Sequence, residues 1–401
     1  MPSFRASVAR RNVTPDPLLP VSRGADACRP ALTKMGELEL RVLVVESGEV
    51  RVAVVSVPFL GFPSMLCRRV RERVDGIPPE NILIGATHCH SAPDPYGFPN
   101  GAGEYEISFP YLYGVCDALA DAINEAVATL QPAALRTATG EAQGKIAYNF
   151  YAPELYDPRC HVIQCLKPDG SSIATLVNYA IHPEILLHQD VCSPDLVGPL
   201  YDRIEELGGG TAIFMNSAQG GMITADIRTP QGDLEDWSEC VRIGRLLAEE
   251  TLRTVNGACV QEDPGLWCGA REITFPVNEI MGQLMLMLHL ESREGRTEPF
   301  TEVSTQQNLV NLGDAQILTI PGEALPNLGF YLKRKMRGRH NLLFGLTNDA
   351  FGYIMSPYDY NSFKIYEYIS ATCLHENMGE ILVKEGLDFV NRRPALRSAI
   401  R

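Results

Sequence analysis

Apolar, strand-like runs that end at metal-binding side chains are the feature of this sequence that most constrains its fold. The first run, at residues 81–86, leads into Thr87-His-Cys-His-Ser-Ala-Pro-Asp94. On an extended backbone residues i and i+2 point to the same side, so His88 and His90 can address one point in space. They would act there as two metal ligands, or as one ligand and one acid–base group. The alternative is that both are ordinary loop residues.

Two later strand-like runs also end at a potential ligand. Residues 174–180 end just before His182, and residues 316–320 end just before Glu323. Two or three imidazoles, one carboxylate and an open position for water form the ligand set of a catalytic zinc site. Iron and manganese accept the same ligands. Cys89 would point away from its neighbouring histidines on an extended backbone, so we exclude it. The candidate ligands are His88, His90, His182 and Glu323.

Helix and strand patterns alternate along the whole chain. Apolar runs separated by short turns predict hairpins at residues 38–57, 160–180 and 309–320. Apolar residues at helical spacing or in helix-length runs predict helices at residues 64–75, 111–130, 234–255, 277–290 and 380–391. Residues 295–305 have the polar composition of a loop. We therefore predict one large mixed α/β domain over residues 1–401, with sheets covered by amphipathic helices.

Two loops are candidates for contact with a substrate. A strand-like run at 211–215 leads into Asn216-Ser-Ala-Gln-Gly-Gly221, whose backbone amides can approach a ligand and stabilise an oxyanion. The alternative is a simple glycine turn. The loop at 94–107 is rich in Pro, Gly and aromatic residues. It would either overhang the histidines or form a plain surface connection.

Asp195 is a further catalytic candidate. The pattern Ser193-Pro194-Asp195 is typical of a helix start, with serine as the cap and proline at the first position. Asp195 is close enough in sequence to reach the loop that holds His182. Its alternative role is that of a carboxylate favoured by the helix dipole.

Charge and cysteine usage exclude some classes of partner. The formal charge of −14 and the isoelectric point near 5.1 oppose attraction to nucleic acid or to an anionic membrane. The eleven cysteines contain no CxxC pair, which indicates thiols in a reducing compartment. Residues 1–30 lack the apolar core of a secretory signal. The longest apolar run, at 280–290, is too short to cross a bilayer and carries His289, interpreted as a core or surface residue.

These observations predict a cytoplasmic protein with a small-molecule substrate. We expect no nucleic-acid partner and no membrane insertion, and the sequence leaves a homo-oligomer open.

A set of short motifs occurs in a specific order along the chain. The motifs are residues 4–15, Ala86-Thr-His-Cys-His-Ser-Ala-Pro93, Val177-Asn-Tyr-Ala-Ile-His-Pro183, Asn216-Ser-Ala-Gln-Gly-Gly221, Pro321-Gly-Glu323, residues 348–354 and Tyr366-Glu367. In this order the set resembles the N-terminal catalytic domain of the neutral/alkaline ceramidases, zinc-dependent amidases that split the N-acyl bond of ceramide. The chain ends soon after residues 380–391, so we expect no C-terminal immunoglobulin-like domain of the kind that the family carries.

The resemblance implies a role for each matching residue. His88, His182, Glu323 and Tyr353 would bind one Zn²⁺ ion. His90 and Tyr366 would lie beside the substrate as hydrogen-bonding or proton-handling groups. Tyr353 follows only from the resemblance, because a phenol with a pKa near 10 must be polarised by the metal to act as a ligand.

The sequence departs from the family pattern at two positions. The family's nucleophilic serine aligns with Ile223, and Thr224 lies one residue out of register. An arginine that the family places after an asparagine is replaced by Phe150, which follows Asn149. The metal ligands are thus kept, whereas the groups specific to ceramidase are changed.

Our leading hypothesis is a zinc hydrolase that uses metal-activated water to cleave an amide or related acyl bond of a small polar substrate other than ceramide. His90 would be the general acid or base, and amides of Gly220 and Gly221, or Tyr366, would hold the oxyanion. Asn216 and Phe150 would contact the substrate. Two alternatives stay open. Thr224 would replace the serine in an amidase closer to ceramidase, or the chain would be a zinc-containing binding protein or inactive relative.

Overall fold

The computed structural model of the chain describes residues 4–24, 26–97, 107–288 and 298–392. Its strands are β1 (Phe4–Asn12), β2 (Val21–Arg23), β3 (Asp26–Arg29), β4 (Thr33–Lys34), β5 (Glu39–Ser47), β6 (Val50–Val57), β7 (Ile82–Ala86), β8 (Gln131–Pro132), β9 (Ala134–Glu141), β10 (Ala147–Asn149), β11 (Arg159–Leu166), β12 (Ser172–Tyr179), β13 (Val191–Cys192), β14 (Thr211–Asn216), β15 (Ile223–Ala225), β16 (Arg228–Thr229), β17 (Gly232–Asp233), β18 (Leu266–Pro276), β19 (Glu302–Leu312), β20 (Ala315–Thr319), β21 (Glu323–Ala324), β22 (His340–Phe344) and β23 (Tyr353–Ile354). Its α-helices are α1 (Ser64–Arg71), α2 (Phe109–Ala128), α3 (Val197–Glu206), α4 (Trp237–Val255), α5 (Glu279–Leu288), α6 (Pro326–Lys335), α7 (Glu367–Ala371) and α8 (Met378–Asn391).

Three larger sheets organise the described part of the chain. Their strand orders are β7-β6-β5-β1-β8, β14-β12-β11-β9 and β18-β19-β20-β22. In each sheet most neighbours are antiparallel, and one pair near an end is parallel: β6 with β7, β12 with β14, and β20 with β22. The three predicted hairpins, β5–β6, β11–β12 and β19–β20, each supply two neighbouring strands of a sheet.

The three sheets pack against one another around a shared core. Leu43 and Leu83 of the first sheet, Leu176 of the second, and Ile317 and Phe344 of the third belong to one buried apolar cluster. The other face of each sheet is covered by helices, the first by α1 and α2, the second by α3 and α4, and the third by α6 and α8. Strands buried on both faces read as continuous apolar runs, which explains the sequence pattern.

The structure confirms the mixed α/β class and refines several boundaries. Strand β19 begins at Glu302, so the predicted loop at 295–305 is wrong in its last residues. Helix α3 begins at Val197, three residues after Pro194, the predicted first helical position. His289, and most of the loop at 94–107, lie outside the described residues.

The carboxyl ends of the parallel strand pairs meet at one place. The Ala86 amide, at the end of β7, donates to the Leu346 carbonyl just after β22. The Gly345 amide donates to the Asn216 carbonyl, at the end of β14. The Leu346 amide in turn donates to the Gly322 carbonyl, which follows β20. Residues that come directly after these strands are therefore brought together, although they are far apart in the chain.

Candidate metal centre

His88 follows strand β7 in a strained, left-handed backbone conformation. Its φ is 71°, a conformation that costs a residue with a side chain roughly 1–3 kcal/mol. The His88 amide donates to the Phe59 carbonyl, and the ring Nδ1 lies 2.7 Å from the Leu60 carbonyl oxygen. A carbonyl oxygen can only accept, so Nδ1 carries the proton and Nε2 presents a lone pair. These contacts hold the strained backbone of His88 in place, and the ring Nε2 points toward Glu323.

His182 follows strand β12 and is fixed in the same way. Its ring Nδ1 donates to the Ile223 carbonyl over 2.9 Å, and its backbone amide donates to the same oxygen. Nε2 therefore again presents a lone pair. A backbone carbonyl that fixes the tautomer and ring orientation is the usual outer contact of a metal-binding histidine.

Glu323 completes a group of converging acceptors. Its Oε2 lies 3.3 Å from Nε2 of His88 and 3.3 Å from Nε2 of His182. Two ligands each about 2.05 Å from a tetrahedral zinc ion would be separated by about 3.3 Å. Glu323 Oε2 and His182 Nε2 are buried and have no hydrogen-bond partner among the described residues.

Buried acceptors that face one another repel unless a cation lies between them. Burial opposes ionisation of Glu323, but positive charge and hydrogen-bond donation at the neighbouring imidazoles outweigh it and lower the pKa of Glu323. With both Nε2 atoms unprotonated, a cation between the three groups would supply that positive charge. The carboxylate is therefore charged at neutral pH. Two oriented imidazoles and a carboxylate, close together and unsatisfied, fit a divalent metal ion, and imidazole with carboxylate suits zinc.

His90 lies beside this group, as the sequence predicts. The ring centres of His88 and His90 are 4.7 Å apart. Nitrogens of His88, His90 and His182 all lie within 4.8 Å of one another. Burial, with the neighbouring His88 and His182, lowers the pKa of His90 well below its ordinary value. Both of its ring nitrogens are buried without a hydrogen-bond partner among the described residues.

Tyr353 is brought next to Glu323 by a short parallel pair of strands. In this pair, β21 and β23, Glu323 is the direct neighbour of Tyr353. The Tyr353 hydroxyl donates to Sδ of Met222 over 3.0 Å. Burial and the Glu323 carboxylate raise the pKa of Tyr353 well above its ordinary value.

A largely apolar cavity opens onto these residues. It contains about 1200 Å³ of empty space, counting the part open to solvent, and His88, His90, Glu323 and Tyr353 form part of its wall. Most of the remaining lining is apolar, including Leu60, Met65, Leu66, Phe109, Met285 and Phe351. Pockets of this apolar character bind the apolar parts of small molecules.

Asn216 and Gly220, predicted to contact a substrate, are instead engaged by the backbone. The Asn216 side chain donates to the carbonyls of Thr87 and Ile181, and Asn216 is fully buried. The Gly220 amide donates to the Ala324 carbonyl over 3.0 Å, so it is not available to an oxyanion. A side chain at Gly220 would collide with the Glu323 backbone. Gly220 thus allows the close approach of two loops.

Two predicted catalytic residues lie outside the described lining of the cavity. The Asp195 carboxylate accepts hydrogen bonds from the amides of Leu186 and Leu196 at 3.0 and 2.7 Å. It does reach the loop after His182, as the sequence indicates, but it holds backbone there. Thr224 lies in strand β15 and pairs with the backbone of His182 and with Tyr148.

Tyr366, Gly221 and Phe150 lie near a second and smaller cleft. Tyr366 and Gly221 line it together with Tyr151, whose ring centre is 5.2 Å from that of Tyr366. Phe150 is 57% exposed and packs edge-on against Tyr151. The structure does not place these three residues in the described lining of the main cavity.

Sequence reasoning missed three residues that do line the main cavity. Tyr368 packs against Tyr353, with ring centres 6.1 Å apart. Asp349 is buried in the wall and accepts hydrogen bonds from the amides of Ser64 and Ala350. Gly24 lies beside the His90 ring, where a Cβ would be 3.5 Å from Cε1. Tyr368 lies two residues after Tyr366, which the sequence did identify as a candidate.

Comparison with known proteins gives matches at the level of structure only. No protein-family profile matches the sequence. No curated protein matches it either. Neutral ceramidase from Pseudomonas aeruginosa superposes with a TM-score of 0.76 and 16% identity, covering 100% of this chain and 76% of that one. A ceramidase complexed with C2 superposes with a TM-score of 0.75 and 15% identity, covering 100% of this chain and 77% of that one. The chain therefore has the fold of the neutral ceramidases, as its motifs predict.

Proposed function

We propose that this protein is a zinc-dependent hydrolase that cleaves an amide bond of a substrate with an apolar acyl group. The observation that carries the proposal is the convergence of Glu323 Oε2 and the Nε2 atoms of His88 and His182 at 3.3 Å. The amide-hydrolase fold supports the type of reaction. Tyr353, the neighbour of Glu323 in the strand pair, is proposed as the fourth protein group at the metal.

A bound zinc ion would polarise the scissile carbonyl and lower the pKa of a water molecule toward neutrality. The chain's own residues have separate tasks. Carbonyls of Leu60 and Ile223 keep His88 and His182 in the tautomer that exposes Nε2. Glu323 supplies the negative charge that balances the cation.

His90 is proposed as the proton-handling group. Its ring is in contact with His88, and its nitrogens have no hydrogen-bond partner among the described residues. A ring nitrogen of His90 would take a proton from the attacking water and deliver it to the leaving amine. This role needs a nitrogen that is not already bound to protein, and His90 meets that condition.

The cavity argues for an apolar substrate group. The sequence led us to expect a small polar metabolite, but the wall beside the histidines is mainly aliphatic and aromatic. Burying such a group contributes about 25 cal/mol for each Å² of apolar surface removed from water. A chain-like acyl group suits this lining better than a polar one.

Water is favoured over Thr224 as the nucleophile. Thr224 pairs with the backbone of His182 and is not among the described residues that line the cavity. Ile223, at the position of the family's serine, is fully buried in an apolar cluster, and its carbonyl orients His182. This position therefore supports a ligand where the family has a nucleophile.

The cellular compartment of this protein is also a proposal. No cysteine in the described part of the chain forms a disulfide, which supports a reducing compartment such as the cytoplasm. None of the described helices has the length and apolar character that a bilayer crossing requires.

A substrate series tests the proposal. Purified protein is stripped of metal, reloaded with zinc and offered N-acyl amides with acyl chains of increasing length. We expect zinc-dependent hydrolysis that becomes more efficient with chain length until the cavity is filled. Bound zinc with no turnover of any amide, ester or lactone would favour the zinc-containing binding protein instead. Turnover that survives complete metal removal would contradict the proposal.

A further inference from the structure

The two proposed histidine ligands come from different sheets. His88 follows β7 of the first large sheet, and His182 follows β12 of the second. The ladder of a single sheet therefore does not set the distance between them. Some contact that spans both segments has to do so.

Asn216 makes such a contact. Its Nδ2 donates to the Thr87 carbonyl at 3.0 Å and to the Ile181 carbonyl at 2.7 Å. Thr87 directly precedes His88, and Ile181 directly precedes His182. One side-chain amide thus joins the two peptide groups that lead into the proposed ligands.

The rest of the Asn216 amide is also committed. Its Oδ1 accepts from the amides of Ser217 at 3.0 Å and Ile181 at 3.3 Å. A primary amide has two N–H donors and two acceptor sites, so all four are used. Asn216 is fully buried, and loss of its donors would leave two carbonyls unsatisfied away from water.

We infer that Asn216 is a positioning residue that, together with the hydrogen bond from the His90 amide to the Pro183 carbonyl, sets the separation between His88 and His182. The inference rests on the proposed function insofar as the two histidines bind the metal. Outer contacts that orient metal ligands typically change metal affinity by about 10–100-fold when removed. Asn216 bonds to the backbone just before each of the two ligands. The carbonyls of Leu60 and Ile223 act differently, because they bond to the imidazole rings themselves.

The chain offers a matched control in Asn178. It is also fully buried, and its Nδ2 donates to the carbonyls of Met215, Asn216 and Leu343. None of these residues adjoins a proposed ligand. Asn178→Ala therefore removes a buried amide that contacts the Asn216 backbone, but it leaves the bonds from the Asn216 side chain to the Thr87 and Ile181 carbonyls in place.

Two measurements on the full chain test the inference. Zinc affinity is measured by competition with a chromogenic chelator in wild type, Asn216→Ala and Asn178→Ala. The ring nitrogens of the eight histidines are followed by NMR in the metal-free proteins labelled at histidine. In Asn216→Ala we expect zinc affinity to fall at least tenfold, with displaced His88 and His182 signals. In Asn178→Ala we expect those signals to keep their positions.

Unmoved His88 and His182 signals in Asn216→Ala, or equal effects in Asn178→Ala, would overturn the inference. If Asn216→Ala does not fold, Asn216→Asp replaces it, because aspartate keeps the acceptors and the volume and loses both donors. A wild-type protein that binds no zinc would refute the proposed function alone, since the histidine signals still report on Asn216 in the metal-free state.

Discussion

Two buried polar clusters in this protein differ in how well their atoms are satisfied. The histidine cluster consists of His88, His90, His182 and Glu323. The lysine cluster consists of Lys333, Asp157, His161, Ser217 and Thr139. Lys333 Nζ donates to Asp157 at 2.9 Å and to Ser217 at 3.2 Å, and it lies 3.1 Å from His161 Nε2. The other ring nitrogen of His161 lies 2.9 Å from the Thr139 hydroxyl.

The difference separates a structural role from a functional one. No side-chain atom of the lysine cluster is among the buried polar atoms that lack a partner. In the histidine cluster four such atoms occur, two on His90 and one each on His182 and Glu323. Unsatisfied buried atoms cost free energy, and several that lie close together in one cluster fit a ligand that would complete them. Burial of charged and polar groups is common to both clusters, and the missing partners distinguish the site.

Removal of a proposed ligand has the largest expected effect. In Glu323→Gln or His182→Ala we expect kcat/KM to fall by roughly 10³-fold, because the metal's stabilisation of charge is worth several kcal/mol. Steady-state hydrolysis and metal content of the purified variants measure this. Wild-type turnover in either variant would show that the histidine cluster is not the active site.

Disruption of the lysine cluster is expected to change stability and leave the metal site intact. In Lys333→Met the Asp157 carboxylate keeps Arg159 as its one cationic partner among the described residues, and we expect the free energy of unfolding to fall by about 3 kcal/mol. Urea denaturation measures this loss. Zinc affinity of the folded variant should match that of wild type, and a tenfold loss would erase the distinction between the clusters.

Asp195 is a buried carboxyl outside the histidine cluster whose oxygens both accept hydrogen bonds. We expect its protonation to change the free energy of unfolding whether or not metal is bound. Burial raises the pKa of Asp195 to about 6, whereas an unfolded aspartate titrates near about 3.9. Between these values the folded protein holds a proton that the unfolded chain has lost. Stability should therefore fall by roughly 2–3 kcal/mol as pH rises from about 4 to 6.

Asp195→Asn should remove this part of the pH dependence, because an amide does not ionise. Leu186 and Leu196 donate to different oxygens of Asp195, so the single amide oxygen keeps one of the two hydrogen bonds and the variant should also be less stable at every pH. Denaturation of both proteins across the pH range measures the slope. An identical slope in the two proteins would assign it to other groups.

Thr224→Ala has the smallest expected effect. We expect turnover within about twofold of wild type, because Thr224 is absent from the described lining of the cavity and its pairing with Tyr148 and His182 is made by the backbone, which alanine keeps. Single-turnover kinetics would also detect a covalent acyl intermediate on Thr224. Detection of this intermediate would show that the Thr224 hydroxyl, and not water, is the nucleophile that attacks the substrate.

The sequence predicts those parts of the site that depend on local pattern. Runs of apolar residues mark where β7, β12 and β20 end, so His88, His182 and Glu323 could be identified as candidates from their positions alone. Tyr353 could not, because a phenol has no ligand signature, and it entered only through the resemblance to the ceramidases.

Contacts between distant residues lay beyond the sequence. The Asn216–Thr87 bond spans 129 residues and the Lys333–Asp157 bond spans 176. Their amide, hydroxyl and charged groups are ordinary residue types with no spacing that links them. The cavity likewise combines side chains of α1, α2 and α5 with residues of strands β21 and β23 and of the loop after β22. Its apolar character therefore emerges only when the three sheets and their helices are packed together.

Titration of zinc into the metal-stripped protein tests the central claim most directly. We predict one high-affinity ion per chain in wild type and in Lys333→Met, and none in the double variant His88→Ala/His182→Ala. Absence of zinc binding in wild type, or full binding in the double variant, would contradict the account.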